Sequence, residues 1–145
     1  MSVEQTNLEL MQVVDDAWNT QDWQTFARHH THDVVVQLPG QPTTHGIEQH
    51  RSDAAHIFAM FPDNQVGNRP YRVLFASGDW TCSIARFTGT MTEPMQLPDG
   101  TVIPPTGKSF DLDFCTVARW VDGRIVEENL FYDRELMMRQ LGLSN

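Results

Sequence analysis

The chain has only two cysteines, Cys82 and Cys115, and neither stands at a metal-ligand spacing. Both fall in predicted strands, which reads as buried free thiols in a reducing cytosol. No apolar run approaches the roughly 18 residues a membrane-crossing helix needs. The start, Met1-Ser-Val-Glu-Gln5, lacks the basic and apolar regions of a signal peptide. The expectation is a soluble, cytoplasmic protein. Positive charge is scarce as well: 10 Lys and Arg against 19 Asp and Glu give a net charge of −9. That balance argues against nucleic acid and against an anionic membrane surface as partners. There is no Gly-rich strand-to-helix turn for a dinucleotide or phosphate, and no Gly-x-Ser-x-Gly elbow. Nucleotide cofactors and covalent serine catalysis are thereby disfavoured. Repeats, linkers and low-complexity tracts are missing too, so 145 residues at 40% hydrophobic read as one domain, 1–145, with a real core.

Large apolar side chains are what the chain does have. Eight Phe, four Trp and seven Met are enough to line a cavity as well as fill a core. Thr6-Asn-Leu-Glu9 reads as a capping box, with Ser2-Val-Glu-Gln5 as an earlier alternative start. Leu10, Val13, Val14, Ala17 and Trp18 then recur at helical spacing to about Asn19. Asp22 caps a short second helix that ends in Arg28-His29-His30-Thr31-His32. These histidines do not converge as an i, i+4 zinc pair does, and a helix C-terminus favours cations anyway; the expectation is no metal. Val34–Leu38 is a strand on which Val35 and Gln37 share one face, and Ile47–Phe61 is a third helix with His50 and Arg51 near its start. From Tyr71 the period drops to two, with strands Tyr71–Ser77 and Trp80–Glu93, and Arg86 in mid-strand requiring a partner. Pro94–Gly107 reads as a long irregular loop, a candidate lid or rim.

The strongest local signal is Asp122-Gly123, the pair of a type I′ turn, between Ser109–Val121 and Arg124–Asp133. An ideal two-residue loop sets Val121 opposite Arg124 and Trp120 opposite Ile125. It then pairs Ala118 with Glu127, Thr116 with Asn129, Phe114 with Phe131 and Leu112 with Asp133. Alternation puts these pairs on one face, mostly aromatic, ending in a carboxylate. Asp133 is thus the candidate acid/base, with Phe114 and Phe131 as walls and Asn129, Gln37 or Arg86 as hydrogen-bond donors to an enolate oxygen. Trp18 and His50 are further candidate lining residues. Helices first and hairpins after predict an α+β fold, a strongly curved antiparallel sheet wrapped around the N-terminal helices.

Phe61-Pro-Asp63, Gly78-Asp79, Ala85-Arg-Phe-Thr-Gly-Thr90, Pro104-Pro-Thr-Gly-Lys108, Asp122-Gly-Arg-Ile-Val-Glu127, Asp133 and Gln140-Leu-Gly142 follow one another at a familiar spacing. In this the chain resembles the SnoaL-like polyketide cyclases, ester cyclases of the superfamily with the nuclear-transport-factor-like cone fold. The resemblance implies a cone-shaped α+β barrel that assembles as a homodimer or homotetramer. It also implies intramolecular aldol closure of an apolar polyketide ester without a cofactor, with Asp133 as the acid/base. Asn129 stands where relatives commonly have tryptophan, and Met91 where they often have histidine. The limonene epoxide hydrolases, of the same superfamily, offer an alternative in which Arg86 and Gln37 fall near an arginine and a water-holding asparagine. Their second aspartate is Thr88 here, which leaves that acid/base pair incomplete. A steroid-isomerase-like reading needs a tyrosine and a protonated acid, which the sequence alone does not assign. The remaining alternative is a non-catalytic small-molecule binding protein in which Asp133 merely caps the last helix.

Overall fold

The structure is a computed structural model and describes residues 1–144. Helix α1 (Val3–Thr20) starts at the earlier of the two candidate boxes: the Ser2 hydroxyl accepts from the Gln5 amide while the Gln5 side chain accepts from the Ser2 amide. Helix α2 (Trp23–Arg28) is capped by Asp22, which accepts from the Thr25 amide at 3.1 Å. Strand β1 (His30–Gln37) begins four residues before the predicted Val34, so His30 belongs to the sheet. A two-residue β2 (Thr44–His45) precedes α3 (Ile47–Met60). The short β3 (Gln65–Gly67) follows, then β4 (Val73–Ser77) and β5 (Trp80–Thr90). The chain ends in β8 (Ser109–Val121), β9 (Arg124–Tyr132) and α4 (Arg134–Gln140).

The segment after β5 is not an irregular loop. It folds into a small hairpin of β6 (Met95–Gln96) and β7 (Val102–Ile103) and is pinned at its base. The Met91 amide donates to the Lys108 carbonyl and the Gly107 amide to the Met91 carbonyl, each at 2.9 Å. Met91 and Met95 are buried in a core with Phe61, Phe87, Phe110 and Leu141. Two methionine anchors hold this loop to the body, and none of its residues lines the main cavity.

One sheet runs β2-β1-β9-β8-β5-β3, with β4 also on β5. Among the described residues only the β1–β9 pair is parallel; it joins the N-terminal half of the chain to its last strand. The α1, α2 and α3 side chains Met11, Val14, Ala17, Phe26 and Ile47 pack on the concave face, against Val34, Val36, Ala118, Trp120 and Ile125. Mid-sheet, that face carries small residues. Ser83 lies opposite Thr116, and Ala85 opposite Phe114. Short side chains under a curved roof of helices leave a hollow there.

Asp122 and Gly123 both have positive φ, 50° and 76°, and Val121–Arg124 and Trp120–Ile125 pair as an ideal loop requires. Beyond them the register shifts. Arg119 faces Glu127, Ala118 faces Glu128, Thr116 faces Leu130 and Phe114 faces Tyr132, which leaves Val126 as an extra residue on β9. A bulge of one residue turns every later side chain to the opposite face. It brings Leu130 and Tyr132 inside at the cost of bringing in Glu128. The predicted face of β9 is therefore corrected from Glu127 onward.

Packing is close where β5 and β8 cross the second core. A Cβ on Gly89 would lie 2.6 Å and 2.8 Å from two Phe110 ring carbons and 3.1 Å from the Phe61 Cβ. Gly89→Ala should therefore cost about 1–3 kcal/mol, as overpacking does. A denaturant midpoint unchanged from wild type would refute this.

Candidate active site

A cavity of about 720 Å³ lies between the concave face and the helices. Its walls are largely apolar: Met11, Val14 and Trp18 of α1, Ile57 of α3, Phe87 of β5, and Phe114, Leu130 and Tyr132 of the central strands. Phe114 and Tyr132 stack at 5.4 Å with an interplanar angle of 15°. Volume and lining are those of a pocket for a small apolar organic molecule. Ionisable side chains interrupt the apolar wall: Asp15, His50 and Glu128, and also His45, Asp53, His56 and Arg134.

Glu128 sits where the bulge put it, buried on the inner face of β9. His30, 98 residues earlier in the chain, meets it through the parallel β1–β9 pairing: Nε2 is 2.5 Å from Glu128 Oε1. The other ring nitrogen of His30, Nδ1, is 2.7 Å from the Phe26 carbonyl oxygen. A carbonyl only accepts, so Nδ1 carries a hydrogen and Nε2 is the atom turned to the carboxylate. His50, in the first turn of α3, brings its Nε2 to 3.7 Å from the same oxygen. Among the described residues, that nitrogen is the buried side-chain atom left without a hydrogen-bond partner. Burial pulls the Glu128 carboxyl up, but the attraction of His30 and then His50 outweighs it and holds the group well below the usual carboxylate range. Burial likewise pulls His30 down, and the Glu128 charge more than reverses this, so its imidazole stands above its ordinary value.

Asp15 reaches the cavity from α1. Burial pushes its carboxyl up to about 7, against the opposing hydrogen bond from Tyr71. The Tyr71 oxygen is 2.6 Å from Asp15 Oδ2 and 3.2 Å from the Met11 carbonyl. The Asp15–Tyr71 contact is a hydrogen bond in either protonation state of Asp15, and the Tyr71–Met11 contact in one of them. With Asp15 ionised, Tyr71 donates to it; with Asp15 protonated, Asp15 donates to Tyr71 and Tyr71 donates to Met11. A carboxyl that changes charge near neutrality and keeps its partner in both states is equipped for proton transfer.

A family model for SnoaL-like polyketide cyclases matches residues 8–141. The chain belongs to that family. A solved SnoaL-like polyketide cyclase assignment from Jannaschia sp. CCS1 is similar at a TM-score of 0.84 and 24% identity, over 100% of this chain and 97% of that one. IdmH from Streptomyces antibioticus, assigned as a polyketide cyclase, is similar at 0.80 and 26%, over 94% and 98%. A protein of ketosteroid-isomerase-like fold from Catenulispora acidiphila is similar at 0.75 and 18%, over 93% of each chain. Comparison with curated proteins yields no significant match. The fold is thus the cone-like α+β fold that the resemblance implied.

In this SnoaL-like chain, three of the residues singled out from sequence meet in the cavity: Trp18, His50 and Phe114. Five do not. Asp133 is exposed and caps α4, accepting from the Leu136 amide at 2.9 Å. Asn129 binds Glu127 at 2.9 Å and the Val117 carbonyl at 3.3 Å, and Phe131 is 45% exposed; both lie on the outer face, turned there by the bulge. Gln37 ends β1 beside Asn129 and is exposed. Arg86 faces outward, 2.6 Å from Asp111 and 3.4 Å from Asp113, which gives it the partners its charge requires without bringing it to the cavity. The Arg86 and Gln37 placements also leave the epoxide-hydrolase arrangement without its parts in the cavity. Conversely, Asp15, His30, Glu128 and Tyr71 escaped sequence reasoning. No local motif marks Asp15 or Tyr71, but Asp15 does share a helical face with Met11 and Trp18.

Since its carboxylate caps α4, Asp133→Ala should cost about 1 kcal/mol, the usual worth of an N-cap carboxylate. Turnover of any substrate found should be unaffected. An activity loss of tenfold or more with a normal melting curve would return the residue to the reaction.

Proposed function

We propose that this chain is a cyclase or isomerase acting on an apolar carbonyl compound, with Asp15 carrying the proton and the His30–Glu128–His50 corner stabilising the oxyanion. The observation that carries this reading is geometric. Asp15 of α1, His50 of α3 and Glu128 of β9 line one cavity together with apolar side chains such as Met11, Val14, Phe87 and Leu130. In its anionic form Asp15 removes a proton from a carbon flanked by carbonyls, leaving an enolate. His50, with a hydrogen on Nε2, donates to the developing enolate oxygen, and its unpartnered nitrogen is free to do so. The enolate carbon attacks a second carbonyl of the folded substrate, and protonated Asp15 returns its proton to the new alkoxide. Apolar walls such as Phe87, Phe114 and Tyr132 hold the two ends together, which turns ring closure into a matter of positioning. Membership of the SnoaL-like family supports this class of reaction.

The test is a mass-resolved screen of β-keto ester polyketide mimics with wild type and Asp15→Asn side by side. A product of unchanged mass and shifted retention, slower by about 10²–10⁴ in the variant, is the expected result. A product formed equally by both proteins would remove Asp15 from the mechanism. Thermal stabilisation by ligands with no turnover in either would make the chain a binding protein.

A further inference from the structure

We propose that His30, His50 and Glu128 form a site for one divalent first-row transition cation, zinc foremost, with a coordination position open to the cavity. Their donor atoms, one from each residue, lie within 4.8 Å of one another, and all three residues are buried. They come from three different elements, β1, α3 and β9, so the convergence is a product of the fold and not of neighbouring positions in the chain.

The hydrogen-bond accounting favours a cation over a proton. His30 Nδ1 is committed to the Phe26 carbonyl, the arrangement that leaves Nε2 as the ligating atom in histidine metal sites. Nε2 and Glu128 Oε1 are both electron-pair donors unless something positive stands between them. A proton there satisfies His30 and Glu128 and leaves His50 Nε2 stranded, buried and 3.7 Å from the carboxylate. One divalent cation satisfies all three. In a tetrahedral zinc site with bonds of about 2.0–2.2 Å, neighbouring donor atoms stand roughly 3.3 Å apart. The separations here, 2.5 Å for His30–Glu128 and 3.7 Å for His50–Glu128, lie on either side of that, so a small rotation of the carboxylate makes room.

Two imidazoles and one carboxylate suit zinc or another first-row ion; an all-oxygen site for calcium or magnesium this is not. The thiols are remote, since Cys82 and Cys115 are absent from the cavity wall. A set of three protein ligands with a vacant position resembles reactive rather than purely structural metal sites. His50 and Glu128 line the cavity, so the vacancy faces any bound carbonyl compound, whose oxygen the cation would polarise in place of the His50 N–H. This use of the ion rests on the reading of the cavity as a reactive site. Its binding does not.

The experiment titrates chelator-stripped protein with Zn²⁺ by calorimetry, and with Co²⁺ as a visible-absorbing substitute. One equivalent should bind, with a cobalt d–d spectrum of low-symmetry coordination. His50→Phe and Glu128→Gln should each weaken binding by at least about 100-fold, since even supporting residues of metal sites cost 10–100-fold. The exposed His32→Ala should leave binding unchanged. Anomalous scattering from zinc-soaked crystals places the ion independently of any variant. No stoichiometric binding by wild type, equal binding by His50→Phe and Glu128→Gln, or an ion located elsewhere would each overturn the proposal. The activity screen with Asp15→Asn reads out separately, so failure of the metal site and failure of the proton-transfer reading are distinguishable.

Discussion

Replacing Glu128 by alanine in the metal-free protein should lower stability by about 3–5 kcal/mol, the usual cost of breaking a buried ion pair from one side. For a chain of this size that is a fall in melting temperature of roughly 10 °C or more. The His30 side chain is fully buried, and without Glu128 it loses its ion-pair partner. Removing both partners should cost much less than the sum of the single changes. Glu128→Leu with His30→Phe leaves no charge stranded, and the added ring suits the neighbourhood of Phe26, whose centroid is 4.4 Å from that of His30. The loss should also depend on pH. Glu128 is depressed, so its contribution is present above the ordinary 4.5 and disappears as pH falls through its native value. His30 is raised, so its contribution is complete below the ordinary 6.5 and disappears as pH rises through its native value. Denaturant titrations should therefore show the widest gap between wild type and Glu128→Ala from pH 4.5 to 6.5. A gap of constant size across pH would mean that lost packing, not lost charge, sets the cost.

That this pair went unseen in the sequence has a definite cause. Asp122-Gly123 specifies a type I′ turn, and the turn formed with its predicted first two pairs. Turn chemistry fixes the register only as far as the next irregularity. Val126 is the extra residue, and nothing about a valine between Ile125 and Glu127 announces a bulge. One residue sufficed to exchange Glu127, Asn129, Phe131 and Asp133 for Glu128, Leu130 and Tyr132 on the concave face. Residues placed by helical periodicity were steadier, because a stripe on a helix tolerates small errors of phase. Trp18, on the apolar stripe of α1, reached the cavity for that reason. Among themselves the histidines at 29, 30 and 32 do not converge. His30 converges instead with His50 and Glu128, a meeting that depends on the parallel β1–β9 pairing. Parallel pairing between distant segments leaves no signature in either. The order of elements and the family motifs were legible because each is local; the corner of the cavity is assembled from sequence-distant parts.

Asp15→Asn should separate stability from activity in a way no surface carboxylate would. The native carboxyl is raised from 3.8 to about 7, chiefly by burial. Between those values the folded state holds a proton that the unfolded chain releases, so folding loses stability as pH rises through the interval. Above pH 7 the full penalty stands, no more than about 4 kcal/mol at 1.36 kcal/mol per unit. Asparagine carries no charge at any pH, and its side-chain oxygen still accepts from the Tyr71 hydroxyl. The variant should therefore match wild type near pH 4 and exceed it in denaturant midpoint at pH 8, while turnover falls by about 10²–10⁴. Gaining stability while losing function is what a reactive group kept in an unfavourable place produces. If Asp15→Asn is instead destabilised equally at pH 4 and pH 8, the carboxylate belongs to the architecture of α1 and Tyr71. The proton carrier would then have to be sought among the other titratable residues of the cavity, such as Asp53, since the depressed pKa of Glu128 makes it a poor base and a better ligand for a cation.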